Sequence, residues 1–176
     1  IKSFPIVDAA DALYYVVKVE TDSGIYGLGE VGIARWGAAI SKAIEHLSQI
    51  VIGQDPFGTE RLWQHMFRGN FFPADKVYSC AISAIDIALW DIKGKRLGVP
   101  IYDLMGGKTR DRVRCYMHVD SGEDGTADDL AKDAAKAVSQ GFTAVRFTSF
   151  PHDYYLHRSY SEWAAEAVER VAAVRE

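Results

Sequence analysis

Residues 76–97 read as a single helix that is apolar around most of its circumference: Val77, Cys80, Ala81, Ala84, Ile85, Ala88, Leu89 and Ile92. A helix of that kind is not stable on a surface and has to be buried against several neighbours at once. Gly98 and Pro100 end it, the first by accepting a left-handed cap and the second by being unable to continue a helix. Whatever this chain folds into, the segment must lie at its centre, and the residues before it must supply the cover.

Those residues predict a sheet and two helices. Ile1–Val7 is strand-like, and Leu13–Glu20 is a β-branched and aromatic run (Tyr14-Tyr15-Val16-Val17-Lys18-Val19). Asp22-Ser23-Gly24 has turn chemistry, and Ile25-Tyr26-Gly27-Leu28-Gly29-Glu30 returns as a further strand, so the three form an antiparallel meander. From Ala38 to Val51 a helix places Ala39, Ile40, Ala43, Ile44, Leu47 and Val51 on one stripe, and Gly53 stops it. Asp55-Pro56 predicts a restart by the N-cap and first-turn rule, with Leu62, Trp63, Met66 and Phe67 as the apolar face. Gly69 to Pro73 breaks that pattern before the long helix.

After Gly106-Gly107 the rhythm changes. Val113–Val119 is a strand, Ala127–Gln140 an amphipathic helix with Gly141 as its cap, Phe142–Phe147 a strand, and Ser161–Glu176 a helix. Apolar strands alternating with helices are the rhythm of a parallel α/β fold. An α+β module therefore covers residues 1–107, and a βα-repeat module covers 108–176.

Composition excludes some functions. A net charge of −4, with no block of like charges, argues against nucleic acid or an anionic membrane as the partner. No apolar run reaches the roughly 20 residues of a membrane span, and the start has no signal-peptide pattern. Cys80 and Cys115 have no metal-type spacing and read as reduced core thiols of a cytoplasmic protein. The chain opens on Ile1 inside a strand-like run and stops inside a helical pattern, so it is expected to be a fragment.

Ser83-Ala84-Ile85-Asp86-Ile87-Ala88-Leu89-Trp90-Asp91-Ile92-Lys93-Gly94-Lys95, continuing through Gly98-Val99-Pro100-Ile101-Tyr102-Asp103-Leu104-Met105-Gly106-Gly107, resembles the stretch that closes the capping domain of mandelate racemase-like enzymes. Glu20-Thr21-Asp22-Ser23-Gly24 with Gly27-Leu28-Gly29-Glu30 is similar to that family's strand-turn-strand. The resemblance runs the length of the chain and points to the enolase superfamily. Within it, the match is to the mandelate racemase/muconate lactonizing enzyme-like family, on the acid-sugar dehydratase side (galactonate or mannonate dehydratase-like). It implies an α+β capping domain, a three-stranded antiparallel meander plus helices, followed by the start of a (β/α)₈ TIM-like barrel. It also implies a homo-oligomer acting on a small-molecule sugar acid, with no nucleic acid or membrane partner. Asp86, Trp90, Asp91 and Lys93 mark the family and are expected to serve packing and interdomain hydrogen bonds, since buried polar groups need partners.

The chemistry that the resemblance implies is abstraction of the proton α to a carboxylate, with Mg²⁺ held by three barrel carboxylates on later strands, which this chain does not contain. The 176 residues alone are therefore expected not to catalyse. Barrel sites lie at the C-terminal strand ends. His118 is expected there as a substrate-binding residue in a Tyr-x-His setting, its neutral ring donating to or accepting from a hydroxyl. The competing reading is a histidine bonded within the barrel rim. Arg146 is expected as a catalytic residue. Racemase-type members carry Lys-x-Lys where this chain reads Arg146-Phe147-Thr148, and threonine cannot replace the second lysine as base. Arginine stays protonated, so its roles are to hold a carboxylate or to lower the pKa of a tyrosine. Tyr155, in the long 149–160 loop, is the tyrosine expected as base. Arg35 and Trp36, in the 31–37 loop, are expected to bind substrate, Arg35 through a carboxylate and Trp36 as a wall. Leu13 stands where mannonate-specific relatives show asparagine, which speaks against mannonate. The leading expectation is Mg²⁺-dependent dehydration of an aldonate or aldarate to a 2-keto-3-deoxy acid; racemisation or cycloisomerisation, or a non-catalytic paralogue, are the alternatives.

Overall fold

The fold comes from a computed structural model that describes residues 1–7, 13–31, 36–69, 74–122, 125–150, 156 and 159–175. The chain divides into two compact units, Ile1–Thr109 and Arg110–Glu176.

In the first unit, β1 (Lys2–Val7), β2 (Leu13–Glu20) and β3 (Tyr26–Val31) form an antiparallel sheet in that order. Phe4 pairs with Val16, and Val17 with Gly29. The period-two alternation of a strand puts Tyr15, Val17 and Val19 of β2, and Gly27, Gly29 and Val31 of β3, on the buried face. Three helices follow: α1 (Gly37–Val51), α2 (Thr59–Arg68) and α3 (Lys76–Leu97), with a single turn, α4 (Ile101–Leu104), after them.

The long helix α3 is the centre of this unit. Asp75 caps it by accepting the Tyr78 N–H at 3.0 Å, and Gly98 closes it with a left-handed φ of +70°. Ala81, Ile82, Ala84, Ile85, Ala88, Leu89 and Ile92 are buried, packed on the sheet face and on Ile40, Ile44, Leu47, Leu62 and Met66. Truncating Ile85 to Ala there should cost about 2–5 kcal/mol. Val77 and Cys80, nearer the helix start, are only half-buried, and Ala39 of α1 is exposed.

One helix start differs from the expectation. Asp55 does not cap α2; its carboxylate accepts from Phe57 N at 2.9 Å and its carbonyl from Gly58 N at 3.1 Å. These bonds close a turn, and the helix begins three residues later with Gly58 as its cap.

The motif residues of α3 act inside this same unit. Leu28 lies on β3, an edge strand, and its N–H donates to Asp91 Oδ2 at 2.9 Å. Lys95 Nζ donates to Asp91 at 2.7 Å and to the Tyr26 carbonyl at 2.8 Å. A helix thus covers the open edge of the sheet by bonding the backbone groups that have no strand neighbour. Lys93 reaches Thr59 Oγ1 at 3.1 Å and lies over the Trp90 ring. Asp86 is half-buried; burial first, then Glu60, raises its pKa, and Lys93 opposes them.

The second unit holds two short strands, β4 (Met117–His118) and β5 (Val145–Arg146), each followed by a helix: α5 (Ala127–Ser139) and α6 (Tyr160–Arg175). The strands are parallel, as Met117 N→Ala144 O (3.1 Å) and Val119 N→Arg146 O (2.9 Å) require. They are shorter than the sequence suggests. Ahead of the ladder, Arg114 links the two segments through its side chain, to Thr143 Oγ1 at 2.9 Å and the Thr143 carbonyl at 2.6 Å, and Val113–Tyr116 stays exposed. Cys115 is consequently an exposed free thiol rather than a core one, while Cys80 is half-buried and free. Helix α5 opens on a capping box of Thr126 and Asp129. The Thr126 hydroxyl first, then Lys132, holds the Asp129 pKa down at about 2. Val119, Leu130, Ala134 and Ala137 are the core, joined by Met117, Val145, Phe147 and Val174. Among the described residues no helix is long and apolar enough to cross a membrane.

Candidate active site on the parallel strands

Alternation along β4 and β5 sorts their side chains into two sets. Met117 and Val119, with Val145 and Phe147, pack into the core beside α5 and α6. Tyr116, His118 and Arg146 take the intervening positions and are exposed, as is Thr148. His118 and Arg146 are register partners, so two of the expected site residues stand side by side at the same end of two parallel strands. Adjacent strands lie roughly 4.8 Å apart, a span that one small polar ligand bridges.

Arg146 has a partner that the sequence reading missed. Its Nη1 donates to the Tyr116 hydroxyl oxygen at 3.5 Å. Tyr116 shares a face with His118, as positions two apart on a strand do, but nothing local to it points to Arg146, 30 residues away. A cleft of about 120 Å³ borders β4, lined by Met117, His118, Asp133, Lys136, Ala137 and Gln140.

The connection leaving His118 is tied down. Asp120 N donates to Asp133 Oδ2 at 3.1 Å, and Gly122 N to Asp120 Oδ1 at 3.1 Å. Arg170 of α6 reaches back with Nη2 to the Gly125 carbonyl at 2.9 Å and Nη1 to Ser121 Oγ at 3.2 Å. Its Nε is held by Glu166 Oε1 at 3.2 Å, and the pair is largely buried.

Of the other expected site residues, Arg35 and Tyr155 lie outside the described residues. Trp36 precedes α1 in the first unit and is exposed. It lines a cleft of about 300 Å³ with Ile40, Asp75, Lys76 and Val77. For a metal, the fit fails: among the described residues no group of three or more His, Cys, Asp and Glu is placed to hold an ion. Arg146 and His118 together offer hydrogen-bond donors and one positive charge, the chemistry of a site for a hydroxylated anion.

Comparison with known proteins places the chain in a family. The family model for the mandelate racemase / muconate lactonizing enzyme N-terminal domain matches residues 4–106. Over 160 residues the chain is 39% identical to the D-galactonate dehydratase of Variovorax paradoxus (strain S110), a match covering 91% of this chain and 41% of that protein. A solved member of the enolase superfamily from Salmonella Typhimurium superposes with a TM-score of 0.82 at 35% identity, over 99% of this chain and 50% of that one. An enolase from Agrobacterium radiobacter, solved with Na and L-malate bound, gives 0.78 at 27% identity over 99% of this chain and 44% of that one. The chain thus spans between two fifths and one half of the length of these relatives.

Proposed function

Because the chain belongs to the mandelate racemase / muconate lactonizing enzyme family of the enolase superfamily, we propose that it is part of an acid-sugar dehydratase. In this reading residues 1–107 are the capping domain and residues 108–176 the first two βα units of a (β/α)₈ barrel. The parallel β4–β5 ladder, with a helix after each strand and apolar packing on one face only, supports the barrel assignment.

The observation that carries the function is the placement of His118 beside Arg146 at the shared end of that ladder. The substrate is an aldonate or aldarate. A base removes its α proton, the β C–O bond breaks, and the hydroxyl leaves as water once protonated. The resulting enol rearranges to a 2-keto-3-deoxy acid. Arg146 grips the substrate carboxylate or acts on a neighbouring tyrosine. His118 donates to or accepts from a substrate hydroxyl. Tyr155 is proposed as the base, and Arg35 and Trp36 as substrate contacts.

Mg²⁺ dependence belongs to the same proposal, as do a cytoplasmic location and a homo-oligomeric assembly. The described residues do not fit a metal site. The relative named D-galactonate dehydratase makes galactonate the first substrate to try. Incubating the full-length enzyme with a library of aldonates and aldarates, with and without Mg²⁺, should release a 2-keto acid that a carbonyl reagent detects. Release from none of them by a folded, metal-loaded enzyme would overturn the reading.

A further inference from the structure

Tyr116 is the third side chain on the exposed face that carries His118 and Arg146, and none of the chemistry assigned so far uses it. Its position is set by the backbone. The next residue, Met117, donates its N–H to the Ala144 carbonyl at 3.1 Å and buries its side chain, so the Cα of Tyr116 is anchored to a paired segment. From there the phenol oxygen accepts from Arg146 Nη1 at 3.5 Å, across 30 residues of sequence.

We infer that Tyr116 is a positioning residue for Arg146, holding one amino group of the guanidinium so that its other edge faces a substrate carboxylate; this rests on the dehydratase reading. The guanidinium is planar and carries five donors in a fixed fork. With Nη1 occupied by the phenol, Nε and Nη2 remain as the parallel pair that meets a carboxylate in two bonds. A long side chain loses rotamer freedom when it grips a ligand, and a partner that already restrains it lowers that cost. The phenol proton is not spent in this contact, because Tyr116 accepts.

The test uses the full-length enzyme and Tyr116→Phe, which keeps the ring and removes only the oxygen. Because Tyr116 is exposed, the variant should unfold at the wild-type temperature. KM for the sugar acid should rise about tenfold, the scale of one hydrogen bond to a charged group. The kcat and its pH profile should stay close to wild type, and crystal structures of the two proteins should show the guanidinium displaced in the variant. An unchanged KM with the guanidinium in its wild-type place would overturn the inference. So would a collapse of kcat with a displaced pH profile, which would make Tyr116 the proton-transferring group. If wild type turns over no sugar acid, the dehydratase reading fails separately, and the place of Arg146 in the two structures decides whether Tyr116 holds it.

Discussion

Gly29 of β3 lies so close to α3 that a β-carbon placed on it would collide with the carbonyl oxygen of Ala84. Gly27, one pleat earlier, meets the Ala88 carbonyl in the same way. The two glycines and the two alanines are one device: without side chains between them, the backbones of strand and helix touch. Gly29→Ala should therefore force the helix off the sheet and cost about 1–3 kcal/mol or more, the range for overpacking a filled core. Urea unfolding of the variant measures this, and a loss within experimental error would mean that the helix shifts at no cost.

The same interface has a polar lock in Asp91, which takes the Leu28 N–H and the Lys95 ammonium. Asp91→Ala leaves Leu28 N–H without its acceptor on the sheet edge. Since Leu28 is exposed and water can replace the carboxylate, the loss should be about 1 kcal/mol. Hydrogen exchange is the sharper readout: the Leu28 amide should lose protection while the amides of β2 keep theirs.

Asp86 gives a pH dependence of the less usual sign. Burial and Glu60 raise its pKa above the ordinary carboxylate value, so between the unfolded and folded pKa the native state holds more protons than the unfolded one. Stability therefore falls as pH rises through that window. Asp86→Asn, which removes the titration, should be as stable as wild type or more so at pH 7, and should lose that advantage below the ordinary carboxylate pKa. Thermal unfolding of both proteins across pH 3–7 tests this; a variant clearly weaker at pH 7 would show that the Asp86 charge is paired well enough to repay its burial.

Asp129 runs the other way. Thr126 and Lys132 hold its pKa at about 2, below the unfolded value, so its contribution is full above pH 4 and is lost as pH falls toward 2. Helix α5 should fray at its start in that range, and Thr126→Ala, which removes the cap, should weaken the helix at every pH with less further loss in acid. An acid transition identical in wild type and Thr126→Ala would place the pH sensitivity elsewhere.

How far the sequence carried depends on whether a feature is local. Helix α3 was legible because its apolar residues sit within one segment, with Gly98 and Pro100 punctuating its end. The meander was legible from the Asp22-Ser23-Gly24 turn and the β-branched run before it. Asp55 misled because one aspartate side chain can cap a helix or close a turn, and the choice belongs to Phe57 and Gly58. The length of β4 was unreadable because a ladder ends where its partner ends, and that partner is about thirty residues away. Tyr116 escaped for the same reason. Its role appears only when Arg146 is paired beside it, whereas His118 and Arg146 were found through a family resemblance that already marked those positions.

That pairing makes Arg146 the most exacting test of the site. It stands at the end of one of two parallel strands, its guanidinium held by a phenol. In the full-length enzyme Arg146→Ala should lower kcat/KM about a hundredfold or more, the scale of losing a charged two-bond grip on a carboxylate or help to a proton-transferring group. Its exposed position predicts an unchanged unfolding temperature. Arg146→Lys restores the charge but not the planar fork, so it should not rescue turnover if geometry is what matters. The pattern of loss assigns the role. A fall in kcat with KM unchanged means that the guanidinium acts on the proton-transferring group in the transition state. A rise in KM alone makes Arg146 a carboxylate clamp and moves the base to another part of the enzyme. Normal kcat and KM in Arg146→Ala would reduce the residue to a rim contact with Tyr116 and remove the main support for this face as the active site.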